Sequence, residues 1–571
     1  MIKLLKYLKD YKTESVLGPL FKLLEALFEL FVPLVIVKLI DVGIANQDRA
    51  YIAKSVGLLA LLALIGLTFS VIAQYFAAKA SVGFAKKIRR ALYAHVQTFS
   101  YTELDTLTPS TLITRMTSDI NQVQTGVNIT LRLLLRSPFV VFGAMIMAFT
   151  IDVRSALIFA AAIPILSVVV FSIMLVSIPL YKKVQAKLDI VLRRVRENLT
   201  GVRVLRAFCK EDEETEKFLE ENQSLTAMQM HTGRISALMN PLTYVLINLA
   251  VVILIYRGAL SVSQGLLTQG AVVALYNYMS QILVELIKMA NMIITLTKAA
   301  ACGNRIEAVL ETETSEDLSQ KSDVRSDSSV QFQHVFFRYQ GASEDSLSDI
   351  SFSAESGEII GIIGGTGSGK STLVQLIPAF YPATAGTVLV GGKNVNDYSK
   401  DVLRQKIGIV PQKAVLFRGT LRDNLKWGNE SAEDDALWEA LRLAQAEQIV
   451  RDKGGLDFLI EQNGRNLSGG QKQRITIARA LVRKPQILIL DDSSSALDFA
   501  TDAALRKALG SLSFAPTIFV VSQRVSALAH ADRILVLDDG CAAGLGTHEE
   551  LLKSCPIYQE IAASQTGGEN K

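Results

Sequence analysis

What this chain can fold into is limited first by where its apolar residues fall. Stretches of bilayer-spanning length fill the first three hundred positions and largely vanish afterwards. A helix crossing the hydrocarbon core needs roughly 20 mostly apolar residues. Six segments meet that need, at about 15–44, 52–77, 127–151, 156–180, 238–262 and 268–297. The connections between the first and second, third and fourth, and fifth and sixth segments are short. The other two are long, polar and charged.

Charge then orients the chain. The long connections carry Lys79, Lys86, Lys87, Arg89, Arg90 and Arg115, then Lys182, Lys183, Lys187, Arg193, Arg194, Arg196, Arg203 and Arg206. The short ones carry little more than Arg49 and Arg154, each close to an aspartate. Positive charge stays inside, so a cytoplasmic-membrane location is expected, with both termini and the long connections in the cytoplasm. The long connections keep helical periodicity, which predicts helices running well past the membrane surface. The start, MIKLLKYLKDYK, places Leu4, Leu5 and Leu8 on one face flanked by Lys3, Lys6 and Lys9. No small-residue cleavage site follows, so an interfacial helix is expected rather than a cleaved leader.

Composition agrees with a chain divided between lipid and water. Half of the residues are hydrophobic while a fifth are charged. At 571 residues more than one domain is expected. A net charge of +4 is small for this length and predicts no nucleic-acid partner. Cys209, Cys302, Cys541 and Cys555 form neither a metal-ligand spacing nor a disulfide framework.

After a helical domain at 1–310, the acidic, serine-rich run ETETSEDLSQKSDVRSDSS reads as a linker at 311–329. From 330 to 571, strand-like runs alternate with helical ones, which argues for an α/β domain. Ile359 to Ile363 is a short apolar run leading into GGTGSGKST, Gly364 to Thr372. Gly364, Gly369, Lys370 and Ser371 fill the pattern G-x-x-x-x-G-K-S, with Thr366, Gly367 and Thr372 completing the loop. Glycines there turn backbone N–H groups toward phosphates; Lys370 neutralises β/γ charge and Ser371 binds Mg²⁺. ATP with Mg²⁺ is the expected ligand. A second apolar run, ILILDD, places Asp491 at the end of a buried strand, where it can hold Mg²⁺ through water.

Between these lies NLSGGQKQR, and here the chain resembles the ATP-binding-cassette (ABC) family. The LSGGQ signature of that family is matched by Leu467, Ser468, Gly469, Gly470 and Gln471. The resemblance covers essentially the whole chain. It implies a half-transporter of exporter architecture, with a six-span α-helical transmembrane domain fused to an α/β P-loop nucleotide-binding domain. It further implies that Tyr339 stacks on adenine and that Gln412 senses Mg²⁺. Ser495, Ala496, Leu497 and Asp498 match the D-loop. In that family two cassettes sandwich two ATP molecules, each between one chain's phosphate loop and the other's signature.

The chain departs from the family where hydrolysis is concerned. Asp492 stands where a glutamate usually polarises the attacking water, and Gln523 stands at the switch histidine. Gln462 replaces a frequent glutamate upstream of the signature. Aspartate is one methylene shorter, and glutamine cannot become cationic. A homodimer would hold two impaired sites beside an intact signature that serves neither well. The expected partner is therefore a second, non-identical half-transporter.

Charges inside spans default to function. Glu25 and Glu29 share a helical face and can line a substrate path, or Lys22 can pair with Glu25. Glu285, Lys288 and Asn291 form a similar face in the sixth span and can pair among themselves. Arg132 and Arg136 are expected to snorkel at a membrane boundary. Pro33, Pro138, Pro164 and Pro241 are candidate kinks. Two regions are candidate levers between ATP and the spans: Tyr101 to Arg115, with a turn at Thr108-Pro109-Ser110, and Lys210 to Gln223. The expected activity is ATP-driven export of amphipathic small molecules or peptides, as by a multidrug exporter. The alternatives are an importer of similar architecture, or a membrane ATPase acting as a sensor or gated channel.

Overall fold

Long runs of Leu, Ile, Val and Ala favour continuous helix wherever backbone hydrogen bonds must be satisfied within one segment. The computed structural model, which describes residues 1–313, 327–493 and 496–566, shows helices much longer than a bilayer is thick. Arg49–Val96 and Val153–Thr200 each run 48 residues, or about 72 Å at 1.5 Å per residue. Gln269–Leu310 runs 42. The expected continuation past the membrane surface is therefore present. The chain forms two compact units, Met1–Val96 with Ser110–Thr312 and Gln97–Pro109 with Glu313–Lys571. Most of the acidic stretch at 311–329 lies outside the described residues.

Five helical segments of the first unit are long and apolar enough to cross a membrane: Arg49–Val96, Pro109–Ile151, Val153–Thr200, Glu211–Ser263 and Gln269–Leu310. The first helix, Lys12–Lys38, carries Lys22, Glu25 and Glu29 among its apolar residues. It is anchored to the last helix by Tyr278, whose hydroxyl donates to the Leu30 carbonyl at 2.6 Å. Asp41 accepts from the Gly270 amide at 2.8 Å nearby. Pro33 and Pro164 lie inside helices, as do Pro19 and Pro179. Pro138 and Pro241 instead sit in first turns, where proline is tolerated. The N-terminal segment Ile2–Tyr11 is helical but winds as 3₁₀, so its leucines do not share one environment: Leu4 is buried and Leu5 exposed.

Two reversals interrupt the long helices. Tyr101–Leu107 ends at Thr108, whose φ of 53° is left-handed, and Pro109 restarts the chain as Pro109–Thr114. The second falls at Val202–Ala207, closed by Cys209 with φ 51°. The charged segment from Lys210 leads into the helix Glu211–Ala237. Four acidic residues in its first turn favour that start by opposing the helix dipole.

In the second unit the strands are β1 Val330–Phe337, β2 Leu347–Ala354, β3 Ile359–Gly364, β4 Ala385–Val390, β5 Lys393–Asn394, β6 Ile407–Val410, β7 Gly419–Thr420, β8 Leu459–Ile460, β9 Ile487–Asp491, β10 Thr517–Val521, β11 Arg533–Asp538 and β12 Cys541–Gly546. The central sheet has the order β12-β11-β3-β10-β9-β6. All its pairings are parallel except β11 with β12. β9 is buried at every position, as an apolar run in a two-faced parallel sheet should be. β2-β1-β4-β5 form an antiparallel sheet, and β7 pairs β8.

Candidate functional site

The carboxyl ends of β3, β9 and β10 open together, and ligands of open α/β sheets bind at such ends. There a cleft of about 310 Å³ is lined by Tyr339, Thr366, Gly367, Gly369, Lys370, Ser371, Thr372, Gln412, Asp491, Asp492, Ser522 and Gln523. Residues separated by more than 180 positions thus share one wall. Gly364 ends β3 beside it, and its freedom from a side chain is needed. A Cβ there would lie 2.2 Å from the Leu537 carbonyl. Gly367 and Gly369 hold φ of 88° and 89°, which L side chains resist.

Lys370 is buried, and its ammonium donates to the carbonyls of Gly364 at 3.0 Å and Gly365 at 2.5 Å. Burial pushes its pKa below the usual lysine range, against the pull of Asp492 and Asp491. Ser371 Oγ donates to Asp491 Oδ1 at 2.9 Å. Burial raises the Asp491 carboxyl; the Ser371 bond opposes this and the Asp492 charge adds to it. Gln412 Nε2 donates to Asp492 Oδ2 at 3.3 Å. A hydroxyl, a carboxylate and an amide therefore converge, an all-oxygen donor set that suits a small hard cation such as Mg²⁺. Among the described residues no cluster of three His, Cys, Asp or Glu exists to hold a soft metal.

Asp492 itself sits at φ 45°, a left-handed conformation that a non-glycine residue adopts at a cost. Gln523 lies past β10 in the same wall, exposed toward the cleft. Tyr339 donates to or accepts from Thr372 Oγ1 at 3.1 Å, and its ring meets Tyr381 edge-on at 5.3 Å.

The signature lies apart from this cleft, whose lining contains none of its residues. Ser468 caps the helix Gly469–Val482 by accepting from the Gln471 amide, while Gln471 Oε1 accepts from the Ser468 amide at 3.1 Å. That reciprocal pair is a capping box. Leu467 is buried. Gly470 must be glycine because a Cβ would lie 2.8 Å from the Ala496 carbonyl. Asp498 caps the next helix through Thr501 N at 2.9 Å. Ser495 lies outside the described residues.

Tyr101–Leu107 belongs to the same unit as the cleft. Tyr101 stacks on Phe380 with ring centroids 4.4 Å apart. Tyr381 donates to Asp105 Oδ2 at 2.6 Å. Asp105 lies within the expected lever region Tyr101 to Arg115 without being singled out there, and Tyr381 belongs to no motif.

In the membrane unit the three carboxylates expected along a substrate path converge on one guanidinium. Arg136 donates to Glu285 at 2.5 Å and to Glu29 at 2.6 Å, with Glu25 at 4.0 Å. Ser137 Oγ adds 2.7 Å to Glu285. The expectation that Arg136 snorkels is therefore corrected: it is 6% exposed, because three carboxylates solvate it better than a boundary could. The two local pairs are present as well, Lys22 with Glu25 and Lys288 with Glu285.

Residues 15–286 match the family described as the ABC transporter transmembrane region, and residues 347–495 the family described as ABC transporter. An uncharacterized ABC transporter ATP-binding protein of Bacillus subtilis is 36% identical over 570 residues, covering 100% of this chain and 99% of the relative. One from Mycobacterium tuberculosis is 36% identical over 567 residues, covering 98% and 97%. Among solved structures, a bacterial Atm1-family ABC exporter with ATP bound superposes with a TM-score of 0.81 at 22% identity, covering 99% of both chains.

Proposed function

This chain belongs to the ATP-binding-cassette transporters, and on that premise we propose that it is one subunit of a heterodimeric exporter whose own nucleotide site binds ATP and turns it over poorly. The observation that carries this is the pair Asp492 and Gln523 in the wall of the cleft around Lys370.

In this reading Tyr339 stacks on adenine. The loop from Gly364 to Thr372 wraps the phosphates, with Lys370 released from its carbonyls to meet them. Ser371, Asp491 and Gln412 hold Mg²⁺, which when bound neutralises charge developing on the phosphoryl oxygens. What the chain lacks is a well-placed base. A general base must sit about 2.6–3.2 Å from the proton it takes. Asp492 is a methylene short of the usual glutamate, and its carboxylate faces the Gln412 amide. Gln523 donates a hydrogen bond to a terminal phosphate but supplies no positive charge.

The signature, capped and packed against Ala496, is intact and outside this cleft. It serves the partner's ATP. In the same proposal the chain sits in the cytoplasmic membrane with both termini inside, its domains dividing at 310 and 330, and carries an amphipathic cargo, as the positive charge of the long connections supports.

ATPase activity of the assembled pair tests this. Replacing the partner's catalytic glutamate should nearly abolish turnover, whereas Asp492→Ala should lower it less than twofold. Full activity from this chain purified alone would sink the proposal.

A further inference from the structure

A second feature of the membrane unit is independent of the nucleotide site. The antiparallel helices Val153–Thr200 and Met239–Ser263, with Gln269–Leu310 as floor, enclose a groove of about 560 Å³. Its walls are apolar, including Ile165, Leu246, Ile253 and Met279. Two cations also line it, Arg154 and Arg257, and no carboxylate does.

The arginines lie together at one end. Arg154 is in the first turn of its helix, and Arg257 is in the last third of the antiparallel one. From Arg154 to Ile165, and from Arg257 back to Leu246, the walls extend eleven residues. That is about 16 Å of helix, against about 15 Å for half of a 30 Å hydrocarbon core. That length matches one leaflet, which would put the guanidinium groups at headgroup level. Both arginines are exposed and neither forms an ion pair among the described residues. The adjacent carboxylate, Asp152, caps its own helix by accepting from the Ser155 amide at 2.8 Å and attracts Arg154 through space without an ion-pair contact.

We propose that this groove holds an anionic phospholipid of the surrounding bilayer, its acyl chain along the apolar walls and its phosphate between Arg154 and Arg257. Guanidinium forks match phosphate oxygens in pairs, and basic pockets between membrane helices select anionic headgroups. A zwitterionic lipid would supply the chain but would bring its own cation to the arginines.

The full-length chain in detergent, alone and assembled with its partner, provides the test. Phosphatidylglycerol and phosphatidylcholine of matched chains are added, and retained lipids are counted by native mass spectrometry. Phosphatidylglycerol should be retained at least tenfold over phosphatidylcholine. Arg154→Gln with Arg257→Gln should erase that preference, and Arg154→Lys with Arg257→Lys should keep most of it. Ala162→Phe, which narrows the groove and leaves both charges, should lower retention of both lipids. ATP binding at the Lys370 site reports that each variant is folded. Equal retention of the two lipids by the unaltered chain overturns the proposal. So does an unchanged preference in the double Gln variant, or loss of the lipid on assembly, which would assign the groove to the partner subunit.

Discussion

Asp491 and Asp492 are neighbours in the chain but meet the cleft under different constraints. Asp491 ends a strand buried at every position, and burial holds its carboxyl above the usual range. The sign of the consequence follows. A carboxyl whose folded pKa exceeds its unfolded value of about 3.9 binds its proton more tightly when folded. Stability therefore falls as pH rises from about 3.9 through the raised folded value. Asp491→Asn should thus stabilise the nucleotide-free protein at pH 7, by about 0.5–2 kcal/mol, and should remove the added stabilisation that Mg²⁺ gives with ATP. Thermal unfolding at pH 7 with and without Mg²⁺-ATP checks both; a lower midpoint for the variant counts against it. Asp492→Glu with Gln523→His should raise turnover at this site at least tenfold. That is measured in a complex whose other site is disabled, and an unchanged rate would mean that something else limits it. The glycine-rich loop and both aspartates were legible because each motif is local. The Gln412–Asp492 contact was not, since eighty positions separate its ends and only the order of β6, β9 and β10 brings them together.

At the scale of elements, the helix Tyr101–Leu107 shows what a turn signal can and cannot say. Thr108-Pro109-Ser110 predicts a reversal, because proline disfavours helix in the residue before it. Nothing local predicts that the helix groups with the cassette, since that depends on Phe380 and Tyr381 nearly 280 positions later. Tyr381→Phe keeps the ring and removes its bond to Asp105. A hydrogen bond to a charged acceptor is worth about 1.5–3 kcal/mol, so amides of Tyr101–Leu107 should exchange at least tenfold faster while ATP binding persists. Hydrogen exchange read by mass spectrometry decides this; unchanged exchange would leave the stacking on Phe380 as the sufficient tether. Arg136 gives the same lesson in lipid. Read alone it is a cation at the start of a span; its partners lie 107 and 149 residues away on the first and last helices. Arg136→Leu leaves Glu285 buried without its guanidinium, at a cost of about 3–5 kcal/mol. Arg136→Leu with Glu285→Leu should recover part of that loss in thermal unfolding. Equal damage from the single and double variants would show that the stranded Glu285 charge is not the source of the loss, whereas full recovery would show that the bridge itself stabilises little.

At the scale of the whole molecule, the division into apolar helices and an α/β cassette was readable from hydropathy alone, since water and lipid impose opposite demands on surface residues. The first span was read from its apolar residues despite Lys22, Glu25 and Glu29, and Arg136 meets two of those charges in the structure. The proposed pairing of two unlike subunits gives two intact motifs of this chain different roles. Lys370 lines this chain's own nucleotide cleft, whereas Ser468 and Gly470 are not part of that lining and, in the proposed heterodimer, act on the partner's nucleotide. If the partner's site performs most turnovers, damage to the signature must cost more than damage to the loop, although both belong to the same chain. Ser468→Arg, which replaces a helix cap with a bulky cation, should reduce ATPase activity of the pair at least a hundredfold. Lys370→Ala should leave a substantial fraction of it, with the loss appearing mainly as weaker retention of ATP by this chain. Steady-state turnover, paired with photolabelling by an ATP analogue, separates the two effects. A homodimer predicts no difference between them, because every site would then need both motifs from this sequence and the two variants would be equally silent.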